Sequence, residues 1–289
     1  CENGFCVYYD KASDCPLPLE AAETIKDKKE GYYLKADSEG VFVFSFFIEG
    51  LFYGLQTLKQ LVENGCQACE IIDWPDIEKR ATHYDLRQIF PKFELLVSYI
   101  EQMASFKANA LLIEYEDKFP FEELPFLRHP KYCLTNEQLE LLKETARCNF
   151  MEIIPLQQSF GHLAYVLKRP EFKHLRETSE VVSALCPCKE EALDIVKKLL
   201  SEVIAKHPDC EYVHLGCDEV INLGVCQECG QRFGGNKERL FIDYVNKLVD
   251  FTCAFGKKPI IWHDMIAHCS DEEIARLDNR VSVMPWLYL

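Results

Sequence analysis

Residues 212–220 read Tyr212-Val213-His214-Leu215-Gly216-Cys217-Asp218-Glu219-Val220, a short apolar segment followed by two adjacent carboxylates. Val213 and Leu215 alternate with His214 and Gly216, which is the period of a β-strand. Because a charged pair is costly to place beside an apolar strand for packing alone, the segment indicates a functional site at the carboxyl end of the strand. Two neighbouring carboxylates can supply an acid and an anion, because repulsion and partial burial raise the pKa of one while the other stays ionised. The alternative is a strand that ends in a solvated acidic turn.

The composition is that of a globular protein, with 289 residues of which 48% are hydrophobic and 27% charged. The formal net charge of -15 argues against nucleic acid or an anionic membrane as partner, because both are polyanions, and it fits a neutral small-molecule or sugar ligand. The longest apolar run, residues 40–61, is interrupted by polar residues and glycines, so no membrane span is predicted. The N-terminal residues lack a basic region followed by an apolar core, so no signal peptide is predicted either.

The 15 cysteines are scattered over the whole chain. A secreted disulfide framework is typically a shorter, loop-rich chain, and no Asn-x-Ser/Thr acceptor occurs here. We therefore expect a reducing compartment, cytoplasmic or nuclear, with an extracellular or lysosomal location as the alternative. Two loops carry Cys186-Pro-Cys188 and Cys226-Gln-Glu-Cys229, whose sulfurs could form a structural zinc site, a disulfide or free thiols. No cofactor and no catalytic metal are predicted.

Residues 1–78 predict a small α+β accessory domain. Aromatic and β-branched residues indicate two strands joined by the turn Asp37-Ser-Glu-Gly40, and apolar residues at helical spacing indicate helices. The predicted elements are a helix over 21–28, strands over 31–36 and 40–47, a helix over 50–62 and a connection over 65–76.

From residue 80 onward, strand and helix patterns alternate, which is typical of a parallel sheet. The strands are predicted over 82–87, 110–115, 151–156, 213–216, 259–263 and 281–284, and the helices over 93–106, 136–148, 190–205, 238–255 and 271–277. A closed barrel of eight units takes about 250 residues, more than residues 79–289 supply. The second domain, 79–289, is therefore either an open doubly wound sheet or an α/β, (β/α)8 TIM-type barrel with six units present.

Polar and aromatic residues follow the carboxyl ends of these predicted strands. They are, strand by strand, Asp85 and Arg87; Glu114, Glu116 and Asp117; Gln157, Gln158 and His162; Asp218 and Glu219; His263 and Asp264; and Trp286 and Tyr288. In a parallel barrel these ends converge on one face. Indole rings stack on sugar rings and charged groups bind hydroxyls, so the set predicts a carbohydrate site.

Several motifs occur in a fixed order along the chain. They are Gly50-Leu-Phe-Tyr-Gly-Leu-Gln-Thr-Leu58, Arg80-x-x-x-x-Asp85, Glu114-Tyr-Glu-Asp-Lys-Phe-Pro120, Pro155-Leu-Gln-Gln-Ser-Phe-Gly-His162, His214-x-Gly-x-Asp-Glu219 and Trp262-His-Asp-Met265. In this set the chain resembles glycoside hydrolase family 20, the β-N-acetylhexosaminidases, and in particular the hexosaminidase D-type branch. The resemblance covers nearly the whole chain and implies the family's accessory domain followed by its barrel.

The resemblance implies a retaining, substrate-assisted mechanism, in which the substrate's own 2-acetamido oxygen attacks the anomeric carbon and forms an oxazolinium ion. Asp218 would orient the acetamido group and stabilise the positive charge, while Glu219 would act as acid and then base. The substrate would be a glycan or glycoconjugate with a terminal β-linked GlcNAc or GalNAc, cleaved from its end. The residues expected to bind it are Arg80, Asp117, His162, Trp262, Asp264, Trp286 and Tyr288.

Some residues have a second interpretation. Gln158 stands where many family members have Asp, so an Asp-His relay behind His162 is not expected. His162 could cap its loop, Arg80 could form an ion pair with Asp85 or Asp117, and Trp262 could be a core residue. For the chain as a whole, the alternatives are a catalytically incomplete fragment or sugar-binding relative, and an interaction module stapled by zinc. A homodimer or a further C-terminal barrel segment would cover the open sheet.

Overall fold

The structure is a computed structural model, and it describes residues 5–9, 17–38, 40–65 and 67–287. The chain divides into two compact units, each discontinuous in sequence. The first is formed by Cys1–Thr82, Phe93–Ala110 and Glu144–Met151, and the second by His83–Lys92, Leu111–Lys143 and Glu152–Leu289. The domain boundary predicted between residues 78 and 79 stays a prediction.

The first unit contains an antiparallel sheet with the strand order β1-β3-β2-β4. Its elements are β1 (Phe5–Tyr9), α1 (Leu19–Ile25), β2 (Tyr32–Asp37), β3 (Gly40–Ser45), α2 (Ile48–Glu63) and β4 (Cys69–Asp73). The predicted hairpin joins β2 to β3, with Asp37 opposite Gly40; Glu39 of its turn lies outside the described residues. The prediction that residues 65–76 form only a connection was wrong, because β4 pairs along β2. Its five residues alternate between half-buried and exposed side chains, a pattern too short to recognise in the sequence.

The core of this unit has two layers, one on each face of the sheet. Successive side chains of β2 point to opposite faces and so contribute to both layers. Tyr32, Leu34 and Ala36 pack with residues of α2 in one layer. Tyr33 packs in the other layer with aromatic residues of β3 and with α1. Both layers are closed to solvent at their centres, and this burial supplies most of the stability of such a unit.

The second sheet begins with β5, and its strands alternate with helices along the chain. The elements are β5 (Ala81–Asp85), α3 (Phe93–Ser105), β6 (Ala110–Glu114), α4 (Asn136–Cys148), β7 (Glu152–Leu156), α5 (Ala164–Leu167), α6 (Glu190–Lys206), β8 (Tyr212–His214), α7 (Gln227–Phe233), α8 (Lys237–Ala254), β9 (Lys258–Trp262), α9 (Asp271–Ile274) and β10 (Ser282–Met284). Short 3₁₀ turns occur at Glu116–Lys118, Pro125–Leu127 and Pro170–Leu175. The short helices α5 and α7 were not predicted, because segments of this length carry too little periodicity.

Within the described residues, the strand order of this sheet is β10-β9-β8-β7-β6-β5, the order in which the strands occur in the chain. The pairs β7–β8, β8–β9 and β9–β10 are parallel. A doubly wound sheet reverses its strand order at a switch point, and no reversal occurs here, so that alternative is wrong. The sheet is a partial barrel with β5 and β10 at its edges, as expected for six units.

Within the described part of the chain, the polar residues that follow the parallel strands are brought to one edge of this sheet. β6 is buried along its whole length, and β8 lies between β7 and β9 near the middle. Within the described residues, no helix combines the length and apolar character needed to span a membrane.

Candidate active site

The acidic pair lies in a strained turn directly after β8. Gly216, Cys217 and Glu219 have φ angles of +68°, 66° and 47°. Left-handed backbone is uncommon for residues other than glycine and concentrates at functional sites. The turn places the two carboxylates in different environments, because the Asp218 side chain is only 12% exposed whereas the Glu219 side chain is 56% exposed.

Two glycines allow this turn to approach the loop after β7. A Cβ on Gly216 would lie 2.0 Å from the side-chain oxygen of Gln158, in addition to the cost of its positive φ. A Cβ on Gly161 would lie 2.3 Å from the carbonyl oxygen of Asp218. The loop that carries His162 and the turn that carries Asp218 therefore touch through backbone that only glycine fits.

Asp218 is held as an anion by two neighbours. The side-chain amide of Gln158 donates to its Oδ1 at 3.0 Å, and Nε2 of His162 lies 3.2 Å from its Oδ2. Burial by itself would raise the pKa of Asp218, but the interactions with His162 and Gln158 outweigh it and lower the pKa below its ordinary value. The site thus contains one inward carboxylate that stays ionised.

His162 lies between both acids of the pair. Its Nε2 is 3.2 Å from Asp218 and 3.3 Å from Oε2 of Glu219. Contact with the Asp218 carboxylate raises the pKa of His162, although burial opposes the shift. His162 has a φ of 52°, so its loop is also left-handed where the imidazole enters the site. The structure therefore places His162 with the acids.

Gln158 bridges Asp218 to a second buried acid, Glu114, at the end of β6. Its amide donates to Oε1 of Glu114 at 3.0 Å. Arg87 lies 3.4 Å and His83 3.8 Å from the Glu114 carboxylate. Burial raises the pKa of Glu114 to about 7 despite the opposing charge of Arg87. A carboxyl with this pKa is partly protonated near neutral pH.

β9 ends at Trp262, and this residue and Asp264 in the following turn support the pair from the other side. Oδ2 of Asp264 accepts the backbone N–H of Glu219 at 2.9 Å, which fixes the strained turn. Trp262 is 8% exposed, and its ring packs on His214 and His83 with centroid distances of 4.3 and 5.8 Å. Trp262 is thus mainly packed inside the sheet, in line with the core alternative, and has a small exposed area at its edge.

Trp286, which follows β10, approaches the same edge. The backbone N–H of Trp286 donates to Nδ1 of His263 at 3.3 Å, and the two rings meet edge to face at 5.7 Å. Trp286 is half-buried in this position. Tyr288, the last predicted pocket residue, lies outside the described residues.

Arg80 is placed away from this edge, because it directly precedes the amino end of β5. Its guanidinium forms an ion pair with Glu30, and it donates to the carbonyl oxygens of Lys107 at 2.7 Å and Ile77 at 2.8 Å. The alternative pairing with Asp85 or Asp117 was therefore wrong. A role in binding sugar gains no support from these contacts, because the donors point into the first unit.

Asp117 lies in the 3₁₀ turn after β6, on the predicted edge of the sheet. Its carboxylate forms an ion pair with the neighbouring Lys118, and its carbonyl oxygen accepts the N–H of His129 at 2.6 Å. The contacts of Asp117 are those of a loop-forming residue. Its binding of substrate stays a prediction.

Several buried polar atoms around the pair have no hydrogen-bond partner among the described residues. They are Oε1 of Gln157, Oε1 of Gln158, Nε2 of His214 and Oδ1 of Asp264. Because buried polar groups are nearly always paired in folded proteins, such a concentration marks a place where a ligand or water completes the bonding. Burial lowers the pKa of His214 to about 3, so its ring is neutral there.

Among the described residues, two groups of side chains have atoms close enough together to hold a metal ion. One consists of His162, Asp218 and Glu219, and the other of Glu177, Cys186, Cys226 and Cys229. The first group is the acid pair with its histidine, and the Glu219 side chain within it is 56% exposed. The second group lies in the loops behind it.

Sequence reasoning missed the central position of Gln158 and the contribution of Glu114. Gln158 was noted only as a departure from aspartate, and Glu114 only as one of several polar strand ends. The available signal was the position of Glu114 as the last residue of an otherwise apolar strand, which requires either burial or function. Their contact joins residues 44 positions apart, which no local pattern reveals.

Comparison with known families gives matches over almost the whole chain. Residues 78–288 match the family description "Glycosyl hydrolase family 20, catalytic domain", and residues 9–74 match "Glycosyl hydrolase family 20, domain 2". The chain is similar to hexosaminidase D of Bos taurus, with 31% identity over 216 residues, and to hexosaminidase D of Homo sapiens, with 32% identity over 203 residues. The alignments cover 72% and 68% of this chain but 62% and 42% of those relatives, so the chain spans only part of their length.

Solved structures show the same fold. A β-N-acetylhexosaminidase from Bacteroides fragilis superimposes with a TM-score of 0.74 and 22% identity, covering 91% of this chain and 57% of that one. An exo β-N-acetylglucosaminidase from Vibrio harveyi, solved in complex with N-acetylglucosamine, gives a TM-score of 0.75 and 19% identity, covering 98% of this chain and 55% of that one.

Proposed function

This chain belongs to glycosyl hydrolase family 20, and from that premise we propose that it contributes the acid pair of an exo-acting, retaining β-N-acetylhexosaminidase. The substrate would be a glycan or glycoconjugate with a terminal β-linked GlcNAc or GalNAc. The observation that carries the proposal is the pairing of a buried, doubly supported Asp218 with an exposed Glu219. Two adjacent carboxylates in different environments can take different roles in one reaction.

Asp218 is proposed to orient the 2-acetamido group and stabilise its developing positive charge. Its supported anionic state suits this role, since the nearby charge of an oxazolinium ion favours an ionised carboxylate. The acetamido oxygen donates its electron pair to the anomeric carbon as the bond to the leaving oxygen breaks. The amide N–H stays on the ring that forms and donates to Asp218.

Glu219 is proposed to supply the proton that the leaving oxygen takes. Its exposed side chain can reach a group at the mouth of the site, where the rest of the glycan departs. In the second half, a water oxygen bonds to the anomeric carbon and the acetamido C–O bond to that carbon breaks. Glu219 takes the proton of that water and returns to its acid form. The anomeric configuration is thereby retained.

The unpaired polar atoms of the site are proposed to bind the sugar. Oδ1 of Asp264 and Oε1 of Gln157 would accept hydrogen bonds from hydroxyls or from the amide, which removes the cost of leaving them unpaired. Trp286 and the exposed edge of Trp262 would contact the apolar face of the ring.

The test is hydrolysis of chromogenic β-glycosides of GlcNAc and GalNAc by the chain and by its Glu219→Gln variant. We expect turnover by the unmodified chain or by a longer form of the protein, and loss of turnover in the variant with sugar binding retained. A matched substrate with a 2-hydroxyl in place of the 2-acetamido group should react far more slowly, because the internal nucleophile is gone. Equal rates on both substrates would contradict the substrate-assisted mechanism.

A second candidate is a sugar-binding unit that is catalytically incomplete. The open sheet favours it, since β5 and β10 are edges and the pocket has walls only along the strands between them. Calorimetric binding of N-acetylglucosamine without hydrolysis, in this chain and in a longer form, would support this candidate.

A further inference from the structure

Four side chains from two separate loops converge behind the acid pair. Sγ of Cys186 lies 3.5 Å from Sγ of Cys226 and 3.5 Å from Sγ of Cys229. Sγ of Cys229 lies 3.4 Å from Oε2 of Glu177. The ligand atoms of all four residues lie within 4.8 Å of one another. Three sulfurs and one carboxylate oxygen thus occupy the corners of a small polyhedron.

The spacing of these atoms fits a tetrahedral zinc site. With Zn–S bonds of about 2.3 Å, two sulfurs of a tetrahedron lie about 3.8 Å apart, and a sulfur and a carboxylate oxygen about 3.6 Å apart. A disulfide requires about 2.05 Å between its sulfurs, far less than the separations found for Cys186. The separations of Cys186 from Cys226 and Cys229 therefore exclude a disulfide involving Cys186. These two separations, and that between Cys229 and Glu177, lie within a few tenths of an ångström of the values expected for metal coordination.

Because the cluster is largely buried, it is energetically unfavourable unless a cation is bound. Cys186 is 0%, Cys229 1% and Glu177 4% exposed. A buried carboxylate among sulfur atoms is a poor arrangement for packing, because thiols are weak hydrogen-bond donors. A divalent cation would satisfy the carboxylate and all three sulfurs together.

Backbone contacts already position the ligands. The N–H of Cys226 donates to Oε1 of Glu177 at 3.0 Å, and the N–H of Cys229 donates to Sγ of Cys226 at 3.4 Å. Outer hydrogen bonds of this kind orient ligands and are typical of built metal sites. Oε2 of Glu177 is left to face the sulfur of Cys229, while Oε1 is held by the backbone.

We propose that Cys186, Cys226 and Cys229, as thiolates, and Glu177, as carboxylate, bind one structural zinc ion. Cys188 is also buried, but it lies outside the group whose ligand atoms are all mutually close. A closed site with four protein ligands is structural, since it leaves no position for water or substrate.

The zinc ion would tie together the two loops that form the active site. Glu177 and Cys186 belong to the segment after β7, which also carries His162. Cys226 and Cys229 belong to the segment after β8, which carries the acid pair. The ion would thus maintain the contact between His162 and Asp218 without touching the substrate. This role is independent of whether the chain hydrolyses a glycoside.

The experiment is elemental analysis of the purified 289-residue chain, or of a longer form, after expression with added zinc and exhaustive dialysis. We expect about one zinc per chain, and the ion should be lost in Cys226→Ser and in Cys229→Ser. Cobalt substitution of the unmodified chain should give intense thiolate-to-metal absorption and tetrahedral d–d bands. Cys210→Ser is the matched control, because Cys210 is a buried cysteine whose Sγ donates to the carbonyl oxygen of Tyr212, a bond that serine retains.

Further variants test the ligand set. Glu177→Gln should weaken zinc binding at least tenfold in competition with a chromogenic chelator, whereas Cys188→Ser should leave it unchanged. Removal of zinc should lower Tm, and zinc but not magnesium should restore it. The cobalt spectrum of the unmodified chain keeps the proposal testable if a serine variant fails to fold.

Three results would overturn the proposal. One is a chain that contains no zinc and gives no thiolate-to-cobalt absorption. Another is a Cys226–Cys229 disulfide found by mass spectrometry in protein purified without reductant and with zinc present. The third is loss of zinc in Cys188→Ser together with unchanged binding in Glu177→Gln, which would replace the proposed carboxylate ligand.

Discussion

The side-chain amide of Gln158 donates a 3.0 Å hydrogen bond to Oδ1 of Asp218. An aspartate at position 158 would instead add a third acid beside Asp218 and Glu114. The neutral amide donates to both carboxylates, and so separates them without adding charge. The local electrostatics therefore favour an ionised Asp218 next to a partly protonated Glu114.

Replacing Gln158 by Glu should move the acid side of the pH–rate profile to higher pH. The new carboxylate removes a donor and adds repulsion, both of which raise the pKa of Asp218. Because Asp218 has to be ionised, activity would then be lost at a higher pH as the solution is acidified. We expect the midpoint of the acid limb to rise by about one pH unit, and kcat/KM at pH values below both midpoints to fall about tenfold.

The control for this variant is Gln102→Glu, which adds the same charge on the exposed side of α3. Profiles of kcat/KM against pH for the three proteins check the prediction. An acid limb that moves equally in both variants would point to net charge instead of the Gln158–Asp218 bond.

Substitution of the pair itself should separate the two roles. Glu219→Gln keeps the shape of the side chain but has no proton to deliver, so turnover should be abolished while N-acetylglucosamine still binds. Asp218→Asn should lower kcat by 10²- to 10³-fold, because loss of one electrostatic contact to a developing charge costs about 2.7–4 kcal/mol. Steady-state kinetics measure turnover, and calorimetric titration with N-acetylglucosamine measures binding to each variant. Near-full activity of Glu219→Gln would show that another group is the acid.

Most of the fold could be predicted from local sequence patterns, but only part of the site could. The six parallel strands were predictable because short apolar or alternating segments recur between helices that have apolar residues at helical spacing. Asp218 and Glu219 were predictable because charge follows such a strand directly. The position of Arg80 was not, because its partner Glu30 lies 50 residues earlier in the chain. Strand β4 was missed because half its side chains are exposed, and pairing along β2 determines its conformation.

Glu114→Gln should make the protein more stable above neutral pH and change the pH dependence of stability. Burial raises the pKa of Glu114 from its ordinary value of 4.5 to about 7. The folded state thus holds a proton more tightly than the unfolded state, and stability falls as the pH rises from about 4.5 through 7. The cost at pH 8 is about 3 kcal/mol by linkage, and the amide does not incur it.

Urea unfolding at pH 5 and pH 8 measures this effect. At pH 8 the variant should be more stable than the unmodified chain. The gain should be at most the linkage cost of ionised Glu114, reduced by the stabilisation that is lost with the Arg87 contact. At pH 5 the difference should fall to about 0.8 kcal/mol by linkage, because Glu114 is then protonated in the folded state and mostly ionised in the unfolded state. A gain of the same size at both pH values would mean that the effect is packing instead of titration.

Gly216→Ala should impair both stability and activity. Alanine in a left-handed conformation costs about 1–2 kcal/mol. Its Cβ would also lie 2.0 Å from the side-chain oxygen of Gln158. Gly256→Ala is the matched control, since its φ is 72° and nothing lies within 4 Å of the added Cβ. Thermal unfolding should show a larger fall in Tm for the Gly216 variant, and kcat/KM should fall only there. Equal Tm values for the two variants would exclude the clash with Gln158.

The edge strand β10 should make the 289-residue chain associate with itself. β10 lies at the end of the described sheet and pairs with β9 on one side, so its other side presents backbone donors and acceptors. Val283 at its centre is 41% exposed, and Pro285 removes one donor beyond the strand. Unprotected edges with apolar side chains pair with other strands, and a lysine at the edge opposes such pairing.

Val283→Lys should therefore reduce association, whereas Leu95→Lys should not, because Leu95 is an exposed apolar residue of helix α3. Sedimentation velocity over a hundredfold range of concentration measures the effect. If all three proteins stay monomeric throughout, the edge is protected in a way that the open order of the sheet does not indicate.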